Sequence, residues 1–148
     1  MIKNERQYRI TKGWIQKFTQ TLGHLDTHPE ESASLHPLLR KAERDGLASQ
    51  IETLQQEVQE YEALRDGPPR AFRLDSFEET PRALIQARIA AGLSQKDLAG
   101  RLGLKEQQIQ RYEATEYVSA SMARVGAVIR ALGVTVRGEV SLAGRPTG

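Results

Sequence analysis

The segment from Leu93 to Glu113, LSQKDLAGRLGLKEQQIQRYE, constrains the fold more than any other part of the chain. Ser94 is a good N-cap for a helix that begins at Gln95, because its hydroxyl can accept from an unpaired amide of the first turn. Gly103 then allows that helix to stop and turn sharply. A second helix is predicted from about residue 106 to 113. The gap between the two helices is too short for an antiparallel hairpin, so they must cross steeply.

The side chains of this segment divide into an apolar and a polar face. Leu98, Ala99 and Leu102 recur at helical spacing in the first helix, and Ile109 and Tyr112 lie three apart in the second. This pattern predicts a helix-turn-helix whose apolar positions face inward. The outward positions of the second helix carry side-chain types that read base edges in a major groove; they are Glu106, Gln107, Gln110 and Arg111, with Gln108 between them.

Twelve positions in and before this segment resemble the Xre-type or lambda-repressor-like helix-turn-helix family. They occur in that family's order and spacing and are Arg88, Gly92, Leu93, Ser94, Gln95, Leu98, Ala99, Leu102, Gly103, Leu104, Ile109 and Glu113. The chain departs from the pattern at Lys105, where a small polar residue is usual, and at Ala114 and Thr115, near which a glycine is usual. The resemblance implies that Arg88 pairs with Glu113 and braces the second helix.

The predicted ligand of this segment is double-stranded operator DNA. The positive end of the helix dipole places Gln95 and its amide beside a phosphate. Sequence would be read by Glu106, Gln107 and Gln110 or Arg111, since a carboxylate suits cytosine, glutamine suits adenine and arginine suits guanine. The complete set of predicted DNA-contacting residues is Gln95, Lys105, Glu106, Gln107, Gln108, Gln110, Arg111 and Thr115.

The composition of the chain argues against several other classes of protein. Its 148 residues contain no cysteine, which removes disulfides, thiolate zinc sites and cysteine nucleophiles. The three histidines, at 24, 28 and 36, fall in or beside one polar loop, and we interpret them as solvated residues and not as metal ligands. Without a nucleophile–base pair or a glycine-rich phosphate loop, no catalytic site, cofactor or metal is expected. A long apolar segment is also missing, so we expect a cytoplasmic protein that does not cross a membrane.

The N-terminal half is predicted to be a helical hairpin. Residues 4–25 form one amphipathic helix whose stripe is Trp14, Phe18, Leu22 and Leu25, flanked by Tyr8 and Ile15. A basic arm covers its other faces and is either a solvated helix face or a contact for DNA or an acidic partner. It consists of Lys3, Arg6, Arg9, Lys12 and Lys17. Residues 37–65 form a second helix, which either Ser34 or His36 caps. Its apolar positions have the spacing of a coiled coil; they are Leu47, Ile51, Leu54, Val58 and Tyr61.

The remaining residues define the domain boundaries. The prolines of DGPPR end the hairpin, so we predict a hairpin over residues 1–66, a linker over 67–77 and a DNA-binding domain over 78–142. The first helix of that domain starts either with a Ser76–Glu79 capping box or at Thr80-Pro81. A later helix over 121–132 should bury Met122, Val125, Ile129 and Leu132. The alternation of apolar residues over 134–142 predicts a short strand, with residues 71–74 as its candidate partner. Residues 143–148 are predicted to form a loose tail. The expected fold class is therefore mostly all-α.

The N-terminal half resembles the HigA-type antitoxin family. The resemblance rests on IKNERQY at 2–8, LHPLL at 35–39 and YEAL at 61–64. It implies a transcriptional repressor that regulates its own operon and binds a toxin protein through residues 1–66. The alternative is a stand-alone dimeric Xre-type regulator that uses the hairpin only to dimerise. A homodimer is expected in both cases, because one domain reads only a few base pairs.

Overall fold

Six α-helices make up the computed structural model, which describes residues 1–144. The helices are α1 (Glu5–Thr27), α2 (Pro37–Asp66), α3 (Thr80–Ala90), α4 (Gln95–Leu102), α5 (Glu106–Ala114) and α6 (Met122–Leu132). Two short 3-10 helices, Pro29–Ser32 and Phe77–Glu79, precede α2 and α3. The chain divides into two compact units, Met1–Pro69 and a second unit that begins at Arg70. The expected all-α fold is confirmed.

The first unit is an antiparallel hairpin of α1 and α2. Asn4 caps α1, because its side chain accepts from the amide of Gln7 at 2.8 Å. His36 caps α2 in the same way, with its Nδ1 accepting from the amide of Leu38 at 3.1 Å, and Pro37 occupies the first helical position. Of the two caps expected for α2, His36 is therefore the one that forms.

The seam between α1 and α2 differs by one position from the expected stripe. The α1 positions that are buried or half-buried toward α2 are Tyr8, Thr11, Ile15, Phe18, Leu22 and Leu25. Their intervals of three and four residues keep one face of α1 against the predicted stripe of α2, and the rings of Tyr8 and Tyr61 lie 5.2 Å apart. Trp14 is 45% exposed, so its assignment to this stripe was wrong. It lies one residue, or about 100°, away from Ile15, which takes the inward position.

The second unit buries one apolar core among α3, α4, α5 and α6. Thr80 and Pro81 start α3, whereas the Ser76–Glu79 capping box does not form because the Glu79 carboxylate accepts from the amide of Asp75 at 2.7 Å. The fully or nearly fully buried apolar side chains are Leu84, Ile85, Ile89, Leu98, Ala99, Ile109, Tyr117, Val128 and Leu132. This core holds α4 against α5 and α6, and α3 against α6.

Two predictions for the C-terminal part were wrong. Residues 1–144 contain no β-strand, and Val140 and Leu142 are 93% and 73% exposed, so segment 134–142 has neither a partner strand nor a face to bury. In α6, Met122 is 76% exposed, while Val128 is completely buried and was missed. Met122 is the first residue of α6, where the helix has not yet reached the core. Of the predicted tail 143–148, residues 145–148 lie outside the described part of the chain.

The turn after α5 places two non-glycine residues in the left-handed region of backbone space. Glu116 has φ of 50° and Tyr117 has φ of 60°. The amide of Tyr117 reaches back to the carbonyl of Tyr112 at 2.7 Å, which is the hydrogen bond that closes a helix at a left-handed residue. An L-residue in this conformation costs roughly 1–2 kcal/mol. The buried ring of Tyr117, stacked on Tyr112 at 5.8 Å, holds the turn in place.

Glu116→Gly should therefore stabilise the protein by about 1 kcal/mol, because glycine adopts a positive φ without the steric cost. Urea unfolding followed by circular dichroism measures the change. Ala114→Gly is the matched control: it is the last residue of α5, has no positive φ to relieve, and should lower stability by up to about 1 kcal/mol. A loss of stability in Glu116→Gly would show that the Glu116 side chain contributes more than its backbone costs.

Candidate nucleic-acid interface

The start of α4 is fixed by a reciprocal capping box. The hydroxyl of Ser94 accepts from the amide of Asp97 at 3.0 Å, and the Asp97 carboxylate accepts from the amide of Ser94 at 2.9 Å. The hydrogen bond from the Ser94 amide, followed by that from the Ser94 hydroxyl, lowers the pKa of Asp97. The cap at Ser94 is confirmed, whereas its partner Asp97 was missed. An acidic residue three positions after a serine is the sequence signal that would have found it.

The turn between α4 and α5 depends on Gly103. This residue has φ of 67° and ψ of 28°, a conformation that side chains with a Cβ rarely adopt. It allows the amide of Leu104 to return to the carbonyl of Ala99 at 2.9 Å, which ends α4 and redirects the chain. Leu98 on α4 and Ile109 on α5 are both completely buried beneath the turn. The predicted helix-turn-helix geometry is thus present.

The start of α5 lacks the side-chain acceptor that usually caps a helix. Lys105 occupies the cap position, and an ammonium group has no lone pair to accept a hydrogen bond. Instead, the side-chain oxygen of Gln108 accepts from the amide of Lys105 at 3.0 Å. In this conformation the Gln108 oxygen stabilises the start of α5, so only its side-chain NH2 group remains to donate to DNA while that hydrogen bond is formed.

A buried ion pair joins α3 to α5. The Nε and Nη2 atoms of Arg88 donate to the two carboxylate oxygens of Glu113, each at 2.7 Å, and Nη1 donates to the carbonyl of Leu93 at 2.7 Å. Arg88 is 2% exposed and Glu113 is completely buried. The pairing that the resemblance implied is confirmed. Because it is bidentate, it fixes the rotation of α5 as well as its distance from α3.

Gln95 belongs to this buried network. Its side-chain amide donates to Glu113 at 3.1 Å, and the residue is 3% exposed. The predicted role of the Gln95 side chain as a phosphate contact does not fit this position, because a solvent-side phosphate cannot reach a buried amide. The prediction rested on the position of Gln95 at the positive end of the helix dipole, which does not show whether the side chain is buried. The part of the prediction that still fits the structure is a phosphate contact with the backbone amides of the first turn of α4.

Tyr117 closes the network from the other side, and sequence reasoning had missed it. Burial, followed by the nearby negative charge of Glu113, raises the pKa of its hydroxyl. Its ring, 4% exposed, covers the end of α5 through Tyr112. The sequence does not distinguish a buried tyrosine after a helix from an exposed one. Tyr117 points inward because the left-handed turn at Glu116 and Tyr117 directs it there.

The outward side of α5 carries the predicted base-reading residues. Glu106, Gln107, Gln110 and Arg111 are all exposed, as are Lys105, Gln108 and Thr115. The hydroxyl of Thr115 donates back to the carbonyls of Arg111 and Tyr112, each at 3.3 Å. The structure therefore brings seven of the eight predicted residues to the solvent side of one helix and its ends, and places the eighth, Gln95, inside.

The comparison with known protein families agrees with this geometry. Residues 84–138, which include α4, the turn and α5, match the family described as helix-turn-helix. This segment is an Xre/lambda-repressor-like helix-turn-helix domain. Domains of this type bind DNA and regulate transcription. No curated protein and no solved structure gives a significant match to the chain. The resemblance of the N-terminal half to HigA-type antitoxins stays a prediction.

Within residues 1–144, no group of three or more histidine, aspartate or glutamate side chains is arranged to hold a metal ion. None of the described helices combines the length and the apolar character needed to cross a membrane.

Glu113→Gln should destabilise the protein by about 3–5 kcal/mol, because it leaves the Arg88 guanidinium buried without a countercharge. Calorimetric unfolding measures this loss. The double variant Arg88→Met/Glu113→Leu should lose less stability than Glu113→Gln, since it removes both charges from the core. Equal losses in the two variants would mean that packing and not charge pairing dominates at this site.

Proposed function

We propose that this chain is a sequence-specific transcriptional repressor. The observation that carries the proposal is the row of exposed polar side chains on α5, a helix held in place by the Arg88–Glu113 ion pair. In a helix-turn-helix the second helix enters the major groove and the first crosses the backbone. We therefore assign α5 to the groove and the first turn of α4 to a phosphate. A protein with this role works beside DNA, which fits the cytoplasmic location expected from the sequence.

The side chains of α5 have separate parts in base recognition. Arg111 can form two hydrogen bonds with guanine, Gln107 and Gln110 can pair with adenine, and Glu106 can accept from the amino group of cytosine. Lys105 and Thr115, at the two ends of α5, supply contacts with phosphates, which fix register but carry no base information. Gln108 can donate to DNA through its side-chain NH2 group, whereas its oxygen becomes an acceptor for DNA only if the hydrogen bond from the Lys105 amide opens.

Arg111→Ala should weaken binding to the operator by about 1–3 kcal/mol and should affect binding to random DNA less. Titrations of both DNAs at one fixed salt concentration measure the two losses, once selection from a random library has given the preferred site. Arg130→Ala is the matched control, since it removes the same charge from an exposed position on α6. Equal losses of Arg111→Ala on operator and random DNA would contradict a base-reading role.

We further propose that the repressor is the antitoxin of a toxin–antitoxin pair and represses its own operon. Support comes from the resemblance of residues 2–8, 35–39 and 61–64 to HigA-type antitoxins. The hairpin is also a compact unit that includes none of the proposed DNA-contacting residues. In this reading residues 1–66 bind the toxin, and the basic arm meets acidic side chains on it. The alternative is a stand-alone dimeric regulator, in which the hairpin serves only for dimerisation.

Co-purification of the tagged full-length chain from its native cell separates these readings. The antitoxin proposal expects one small stoichiometric partner that arrests growth when expressed alone and is neutralised by this chain. The variant Arg9→Glu/Lys12→Glu should reduce recovery of the partner at least tenfold, whereas Arg111→Ala, in α5, should not. Recovery of only the chain itself and its DNA would support the stand-alone regulator.

A further inference from the structure

The hairpin leaves two large apolar side chains exposed along the paired length of its helices. Ile10 is 49% exposed and Trp14 is 45% exposed, and both belong to α1. The Trp14 ring lies 5.4 Å from the ring of Phe18, and the ammonium of Lys17 lies 5.2 Å from the Trp14 ring. Partly exposed tryptophan is unusual on a surface without a partner and is enriched at the centres of protein interfaces.

Ile10 and Trp14 lie on one side of the hairpin. Antiparallel packing is fixed at one end by the Tyr8–Tyr61 contact and at the other by Arg44, which donates to Asp26 at 2.6 Å. In such a pair, positions one residue before each seam position fall on the same side of both helices. We call this side the Trp14 face; it consists of Gln7, Ile10, Trp14, Lys17 and Thr21 on α1 and Gly46, Gln50, Thr53, Glu57 and Glu60 on α2.

The opposite side of the hairpin is polar. It carries the positions one residue after the seam, which are Arg9, Lys12, Gln16 and Thr19 on α1 and Ala48, Glu52, Gln55, Gln59 and Glu62 on α2. This asymmetry gives the hairpin one side suited to burial and one suited to water.

Charge is separated between the two helices. From Lys3 to Phe18 the chain has five basic residues, Lys3, Arg6, Arg9, Lys12 and Lys17, and one acidic residue, Glu5. From Glu43 to Asp66 it has seven acidic residues, Glu43, Asp45, Glu52, Glu57, Glu60, Glu62 and Asp66, and two basic ones, Arg44 and Arg65. On the Trp14 face itself, Lys17 stands on α1 and Glu57 and Glu60 stand on α2.

This distribution favours a second copy of the chain as the partner. In a twofold interface every contact occurs twice, so α1 of each copy can lie along α2 of the other and opposite charges meet in both places. Pairing of α1 with α1 would instead bring the basic helices together, which is repulsive. On the Trp14 face, a partner of a single charge sign would be attracted either by Lys17 or by Glu57 and Glu60, and repelled by the other charge.

We propose that the Trp14 face is a homodimer interface in which α1 packs across α2 of the second copy to make a four-helix bundle. Trp14 and Ile10 form its apolar centre, with the Trp14 ring over Thr53 of the other copy and the basic stretch 3–17 at the same height as the acidic stretch 53–66 of the opposite helix. The inference rests on the proposed repressor function, since it names the surface that supplies the second DNA-reading domain.

The chain carries its own reporter for this interface, because Trp14 is its single tryptophan. Emission should shift to shorter wavelength as the full-length protein is concentrated from nanomolar to tens of micromolar, in step with the mass from sedimentation. Trp14→Ala should weaken self-association at least tenfold, while Thr19→Ala on the polar side should leave it within twofold. A chain that stays monomeric at tens of micromolar, or a Trp14 emission that does not change on association, overturns the proposal.

A charge swap tests which helices meet. Variant A, Lys17→Glu/Thr21→Glu, makes the α1 half of the Trp14 face acidic, and variant B, Thr53→Lys/Glu60→Lys, makes the α2 half basic. Each alone should associate at least tenfold more weakly than the natural chain, and an equimolar mixture should regain a dimer of A with B. The matched control, Lys12→Glu/Thr19→Glu, makes the same charge change on the polar side and should dimerise normally.

The outcomes of the swap separate this inference from the repressor proposal. No dimer in the mixture of folded A and B, or equal weakening in the control, would overturn the pairing of α1 with α2. Operator binding is measured in parallel on the natural chain. If the chain is a monomer and still selects the operator, the repressor proposal stands and the proposed interface is wrong. A different protein that buries Trp14 on a monomeric chain would likewise overturn it.

Discussion

The buried ion pair between Arg88 and Glu113 is the interaction on which the DNA-binding unit depends most. Two charges taken out of water repay their desolvation only when hydrogen bonding is nearly complete. Here the guanidinium also binds the Leu93 carbonyl, and the carboxylate also accepts from Gln95. The pair thereby connects α3, the loop before α4, α4 and α5. A purely apolar contact at this place would leave α5 freer to rotate, because hydrophobic burial has no direction.

For the proposed recognition of DNA, a fixed rotation of α5 matters because base edges are read by geometry. A helix turned by one residue, or about 100°, would exchange the exposed polar side chains for Ile109 and Tyr112. The two sides of α5 therefore have different roles. Ile109 and Glu113 are buried and attach the helix to the domain. The side chains that face solvent are Glu106, Gln107, Gln110 and Arg111. The strained turn at Glu116 and Tyr117 also helps to attach α5 to the domain, because it brings the Tyr117 ring back over the end of the helix.

The hairpin is stabilised in a different way. Its seam is a long stripe of half-buried side chains, and two helices by themselves cover only part of each other's surface. Polar contacts support the end near the N-terminus, where Tyr61 donates to Glu5 at 3.0 Å and the guanidinium of Arg65 lies 4.9 Å from the centre of the Tyr8 ring. A two-helix unit with an uncovered tryptophan gains more from association than a closed globular domain does, because it still has apolar area to bury.

Sequence by itself determined the positions of all six helices to within about three residues, the turn at Gly103, the cap at Ser94 and the partnership of Arg88 with Glu113. These features are local or belong to a spacing shared by a whole family, so a short stretch of chain contains the information. Tertiary structure decided the burial of Gln95, the inward turn of Tyr117, the exchange of Trp14 for Ile15 in the seam and the absence of a strand between residues 134 and 142. Each of those depends on a neighbour that is distant in sequence or absent. Gln95 is buried because it binds the Glu113 carboxylate, and Tyr117 turns inward because its ring packs on Tyr112. The seam of α1 is set by its register with α2, and residues 134–142 form no strand because the described chain provides no partner strand.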